Sequence, residues 1–169
     1  MGMFRELRAE EIECRVGVCR EHGLSLLLYK DARCDARILD EKLGPMGWQC
    51  RFEDHKGTLF CSVGIKSADG EWVWKSDAGS PSNMEAAKGE ASDAFKRACF
   101  KWGIGRELYT APFIWIPADK VELGKTQKGT WYCKNEFRVA KIAMEDGRIT
   151  GIRIVDANTG AIMKSWKEN

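Results

Sequence analysis

Apolar and polar residues alternate through IECRVGVCR at 12–20, placing Ile12, Cys14, Val16 and Val18 on one side. This is the period-two pattern of a half-buried strand. A second apolar run, LSLLLYK at 24–30, follows the turn EHG, so the two segments read as a β-hairpin. The period then changes. In DARCDARILDEKLG, Ile38, Leu39 and Leu43 recur at helical spacing. Asp31 is placed as the N-cap and Gly44-Pro45 as the stop. Alternation returns in WQCRFED (48–54), GTLFCSVGIKS (57–67) and EWVWKSD (71–77), separated by the turns HKG and ADG. These predict a three-stranded meander. GSPSN (79–83) is a loop, and Asn83 is positioned to cap a helix from about Met84 to Trp102, closed by Gly103.

Beyond the helix, FIWIP (113–117) reads as a short strand and ADKVELGKTQKG (118–129) as a polar linker or loop. TWYCKNEFRVAKIAM, RITGIRIVD and AIMKSW, joined by the turns EDG and ANTG, predict a second meander over 130–169, packed on the same domain. The fold class is α+β. A ββαβββα core over residues 1–117, with the hairpin and meander in an antiparallel sheet packed against the long helix, carries additional C-terminal strands.

At 169 residues, with 44% hydrophobic and 31% charged residues, the chain fits one globular domain. A net charge of +2 is uninformative until its distribution is read. No apolar run approaches the ~20 residues of a membrane span, and MGMFRELRAEEIE lacks the apolar stretch of a secretory signal. The seven cysteines are odd in number and form no CxxC pair. They read as free thiols in a reducing cytoplasm, without the clustered ligand set that a tetrahedral zinc site needs. The expectation is a cytoplasmic protein with no metal and no cofactor.

The charge is uneven. AFKRACFKWGIGRELY (94–109) holds four basic residues and four aromatic rings, with no acid before Glu107. At 100° per residue, Ala91, Phe95, Ala98, Cys99 and Trp102 share one side, with Ala87 and Ala94 at its edge. Lys96, Arg97 and Lys101 lie on the other side, with Phe100 among them. Glu90 and Asp93 share that outer side one to two turns earlier, so it is acidic early and basic late. Such an order complements the helix macrodipole of a solvated face, but an apolar ring at Phe100 needs cover from a subunit, another part of the chain or a base. A second basic cluster comprises Lys30, Arg33 and Arg37, within ion-pairing reach of Asp31 and Asp35.

Residues 12–117 carry a longer pattern. RCDARILDEKLGPMGW (33–48), a meander with VGI (63–65) and SDAG (76–79), and KGEASDAFKRACFKWGIGRELY (88–109) resemble the single-strand annealing proteins of the Rad-fifty-two superfamily, in the style of bacterial and phage members such as the DNA-damage-response proteins called DdrA. The matching positions of the long helix are Lys88, Ser92, Asp93, Ala94, Lys96, Arg97, Ala98, Trp102, Gly103 and Gly105. The resemblance implies a homo-oligomeric ring or helical filament with single-stranded DNA in a basic groove, acting in homologous recombination or DNA repair. It assigns backbone contact to Lys96 and Arg97 and to Arg33 or Arg37 in the first helix. A third cation found in some relatives falls at Phe100, with Lys101 next. Relatives recruit a recombinase or single-strand-binding protein through a long tail. Here the chain ends soon after the fold, and such a protein stands as a further expected partner. Annealing suits clustered Lys and Arg, which neutralise phosphates and leave bases open to pair. It needs no hydrolysis, so the chain reads as a non-enzyme.

Two readings compete. A metal-dependent nuclease would use Asp35 or Asp40 with Asp54-His55-Lys56, although EDHKG is more simply a hairpin turn. A structural oligomer without a DNA role would use Trp72, Trp74 and Phe100 as subunit contacts. Gly124-Lys125-Thr126 resembles the end of a phosphate loop, but Asp119 stands where a glycine is required and no helix pattern follows. Hydrolase chemistry lacks a base, since both histidines fall in turns.

Overall fold

Among the described residues, helices and strands follow one another in the order β1 (Glu13–Arg20), β2 (Gly23–Tyr29), α1 (Ala32–Leu43), β3 (Trp48–His55), β4 (Thr58–Lys66), β5 (Trp72–Ala78), α2 (Ala86–Lys101), β6 (Ile114–Pro117), β7 (Leu123–Lys125), β8 (Trp131–Cys133), β9 (Phe137–Glu145), β10 (Arg148–Asp156) and β11 (Ile162–Lys167). The computed structural model describes residues 2–80 and 86–168 and, within 86–88, the backbone alone. The predicted cap Asn83 and the helix start at Met84 lie outside the described residues. The architecture is α+β, and every strand pairing is antiparallel among the described residues. Two compact units divide it: Asp31–Arg106 with the residues before Leu7, and Leu7–Lys30 with Glu107–Asn169.

The first unit holds the three-stranded sheet β3-β4-β5 and both helices. Period-two alternation turns Cys61, Val63 and Ile65 of β4 to one face, where all are buried. Helix α2 packs against β4 and β5, and α1 against α2. The helix contributes Ala94, Phe95, Ala98 and Cys99, each no more than 8% exposed. Ala94 therefore sits inside the buried stripe, not at its edge. α1 is capped as expected. The Asp31 carboxylate accepts from the Cys34 N–H at 3.0 Å, and Gly44, at φ 71, donates back to the Asp40 carbonyl. Trp48 follows the stop, lies 5.9 Å from the Phe95 ring and donates its indole N–H to Asp40 at 2.7 Å. One side chain thereby joins α1, β3 and α2.

The second unit contains a six-stranded sheet in the order β11-β10-β9-β1-β2-β6. Its edge strands β11 and β6 approach one another, so the sheet is nearly closed. Leu24, Leu26, Ile114, Ile116, Ile152 and Ile154 fill its inside. This corrects the expectation of one core sheet. The hairpin β1–β2 pairs with β9 and β6, while the meander forms a sheet of its own. The stretch expected as a polar linker contains a 3-10 turn at Ala118–Lys120 and strand β7. The even alternation of 12–20 also breaks. Val16 faces Leu26 and Cys19 faces Leu24, so two residues of β1 oppose one of β2. At this bulge the Val18 N–H donates to Ser25 Oγ at 3.0 Å and the Val18 side chain is 48% exposed.

Candidate nucleic-acid interface

Helix α2 ends in a glycine-based cap. Gly103, at φ 102, takes the left-handed conformation that costs glycine least. Its N–H bonds the Phe100 carbonyl at 3.0 Å, and the Ile104 N–H bonds the Cys99 carbonyl at 3.2 Å, the two bonds of a Schellman motif. The Lys101 carbonyl receives two cationic donors, Lys75 Nζ at 3.0 Å and Arg106 Nη2 at 2.8 Å. Arg106 Nε also donates to the Phe100 carbonyl at 2.8 Å. Cations at a helix C-terminus meet the negative end of its dipole, so this end collects positive charge for a structural reason before any ligand is considered.

Lys101 turns its ammonium toward β5, donating to the Ser76 carbonyl and lying 3.5 Å from Asp77. Arg97 lies 3.7 Å from the same carboxylate. Asp77 thus stands between the two cations, and both keep about half their side-chain surface exposed. Lys96 is half-buried and has no ion-pair partner among the described residues. The acids of the early helix are otherwise engaged. Glu90 accepts from the Leu59 N–H at 3.3 Å and Asp93 from the Ser80 N–H at 3.0 Å. The polarity along the sequence therefore has a division of labour behind it. The acids fasten α2 to neighbouring backbone, and the cations occupy its far end.

Phe100 is half-buried, with the Arg106 guanidinium 5.4 Å from its ring centre. Part of its cover comes from its own chain. Trp102 sits half-buried at the helix end, donating to the Val63 carbonyl at 2.9 Å, and the Lys75 ammonium rests 4.5 Å from its ring. Sequence reasoning alone misses Lys75, Asp77 and Arg106 as members of this surface. The usable signals are the place of Arg106 inside the basic stretch and that of Lys75 two residues before Asp77, on the same strand face.

On α1, Arg33 is exposed and its guanidinium clasps Asp31 at 2.9 Å. Burial pushes the Asp31 carboxyl up, but the Cys34 N–H and Arg33 outweigh it and hold it below its ordinary value. Arg37 is exposed one turn later. Lys30 departs from the expected cluster. It is only 6% exposed, unlike Arg33 and Arg37. Its charge is visible in the sequence, whereas its burial depends on packing around the end of β2.

The carboxylates of the nuclease reading have other uses. Asp40 binds the Trp48 indole, Asp54 accepts from the Gly57 N–H at 3.0 Å within its turn, and His55 lies 3.3 Å from Glu53. Asp35 is fully buried. Among the described residues no group of three or more His, Cys, Asp or Glu is placed to hold a metal ion. All seven cysteines are free thiols, and burial pushes Cys14 and Cys61 up to about 12. Among the described residues no helix is long and apolar enough to cross a membrane. No known family model, curated protein or solved structure matches the chain.

Proposed function

We propose that the chain binds single-stranded DNA and anneals complementary strands without ATP, as a homo-oligomer of the kind its long-helix motif resembles. One observation carries this reading: the charge at the end of α2. Lys75, Lys96, Arg97, Lys101 and Arg106 lie on or against its last turns, and among the described residues Asp77 is the carboxylate that pairs with two of them, Arg97 and Lys101. Clustered cations bind phosphates with release of counterions and without reading sequence, which leaves bases free for a complementary strand. Phe100 sets an apolar ring among these cations, and Arg33 and Arg37, exposed on α1, are further phosphate contacts in the same proposal. Ring or filament assembly, and a role in recombination or repair, belong to the same proposal.

The two ion pairs to Asp77 favour a second reading, in which the helix face is only a solvated structural surface. Replacing Lys96 and Arg97 by Ala separates the two, because neither side chain belongs to the buried stripe. Annealing predicts weaker binding to single strands of any sequence, with the slope of log affinity against log salt flattened by about 0.7 per phosphate contact removed. A folded double variant with unchanged affinity and slope would overturn the DNA reading of this face.

A further inference from the structure

The segment LGKTQKGTWYCK at 123–134 contains Lys125, Lys128 and Lys134, two aromatic rings and no acidic residue. It folds as a ribbon of β7 and β8, pairing Leu123 with Cys133, Gly124 with Tyr132 and Lys125 with Trp131. Its tip is closed by the Thr126 N–H on the Thr130 carbonyl and the Gly129 N–H on the Thr126 carbonyl, each at 2.9 Å. Glu122 and Glu136 flank the ribbon at its base, outside the acid-free stretch.

Its two faces differ. On one, the Lys125 ammonium rests 5.2 Å from the Trp131 ring centre. On the other, Tyr132 lies across Gly124. A Cβ at Gly124 would sit 2.4 Å from the Tyr132 Cζ, so the missing side chain is what lets the ring lie against the backbone. Tyr132 is nevertheless 45% exposed, and no other ring or cation contacts it among the described residues. One side of the ring is pinned to the ribbon and the other faces solvent. A pinned ring loses little freedom when a flat partner stacks on it, and the surrounding charge selects a polyanion.

We propose that the β7–β8 ribbon is a base-stacking contact for single-stranded nucleic acid, with Tyr132 as the platform and Lys125, Lys128 and Lys134 as phosphate contacts. It deepens the annealing reading and rests on it for the class of ligand. Stacking on an aromatic face tolerates any base, so the contact adds affinity without sequence preference.

The test uses the full chain and an iodouracil-substituted single strand, irradiated and mapped by mass spectrometry, alongside titrations of labelled oligodeoxythymidine at several salt concentrations. The expected result is a cross-link at Tyr132. Tyr132→Phe should bind as the parent does. Tyr132→Leu, which still covers Gly124, should weaken binding about tenfold with the salt slope unchanged. Replacing the three lysines by Gln should flatten the slope by about 2. Cross-links confined to other segments, together with parent-like binding by Tyr132→Leu, would overturn the proposal. Should Tyr132→Leu unfold, the cross-link in the parent chain decides alone. The two proposals fail separately. A Tyr132 cross-link with no effect of the Lys96/Arg97 double variant keeps the ribbon and removes α2 from the DNA path. The reverse pattern removes the ribbon alone.

Discussion

Asp77 holds one negative charge between two cations, and it is the residue on which the character of the α2 surface turns. Its Oδ1 also accepts from the Ala78 N–H at 2.8 Å, a bond that an amide oxygen can keep. Asp77→Asn should therefore preserve the fold while releasing Arg97 and Lys101 to meet phosphate. Binding to single-stranded DNA should tighten, and the salt slope should steepen by up to about 0.7 for each further phosphate engaged. Titration of Asp77→Asn against the parent checks this; an unchanged slope would place both cations off the DNA path. Lys96 and Arg97 are legible as surface residues because helical angle alone separates them from the alanine stripe. Asp77 is not legible as their counter-charge, since twenty residues separate it from Arg97 and only packing of β5 against α2 brings them together.

Helix α1 shows how a local signal becomes an element. Asp31 accepts from the first turn and Gly44 closes the last, and both are readable because capping depends on neighbours within four residues. Asp31→Ala should cost about 1 kcal/mol of stability at neutral pH, whereas Asp31→Asn should retain most of the cap. The pH dependence follows from the lowered folded-state pKa of Asp31. A carboxylate held below its unfolded value stabilises the fold above that value, and this stabilisation is lost as pH falls through the folded one. Denaturant titrations of the parent and Asp31→Ala should thus converge at acid pH. A gap that stays constant would show that the carboxylate's charge contributes nothing. The β1 bulge is opaque by comparison. Alternation through Val18 looks regular, and the extra residue is created by pairing to β2, where Ser25 Oγ claims the Val18 N–H.

For the whole molecule, the two sheets differ in their edges. The six-stranded sheet nearly closes on itself, and closure removes exposed edges. The three-stranded sheet ends on β3, an eight-residue strand paired only with β4 within its sheet. An open edge supports the proposed lateral assembly. Light scattering should return a mass several times that of the 19.1 kDa chain; a monomer at micromolar concentration would remove the oligomer from the proposal. The proposed activity calls for no bond cleavage, so complementary strands should anneal at undiminished rate in EDTA and without ATP. Loss of annealing in EDTA with binding retained would restore a metal role.

The sequence by itself determined what near neighbours decide. Strand and helix periods, the Asp31 cap, the Gly44 and Gly103 stops, the β3–β5 meander and the inward stripe of α2 all follow from interactions a few residues apart or across short turns. Tertiary structure decided which strands share a sheet, because backbone hydrogen bonds join any two compatible strands and carry no label in the side chains. For that reason the hairpin pairs with β9 and β6 and not with the meander, Lys30 is buried, and a stretch that reads as a polar linker supplies one strand of a ribbon with a pinned ring. The same holds for charge. Composition along α2 announces its cations, but Asp77, the carboxylate that pairs with Arg97 and Lys101, comes from a strand whose approach only the packed molecule specifies.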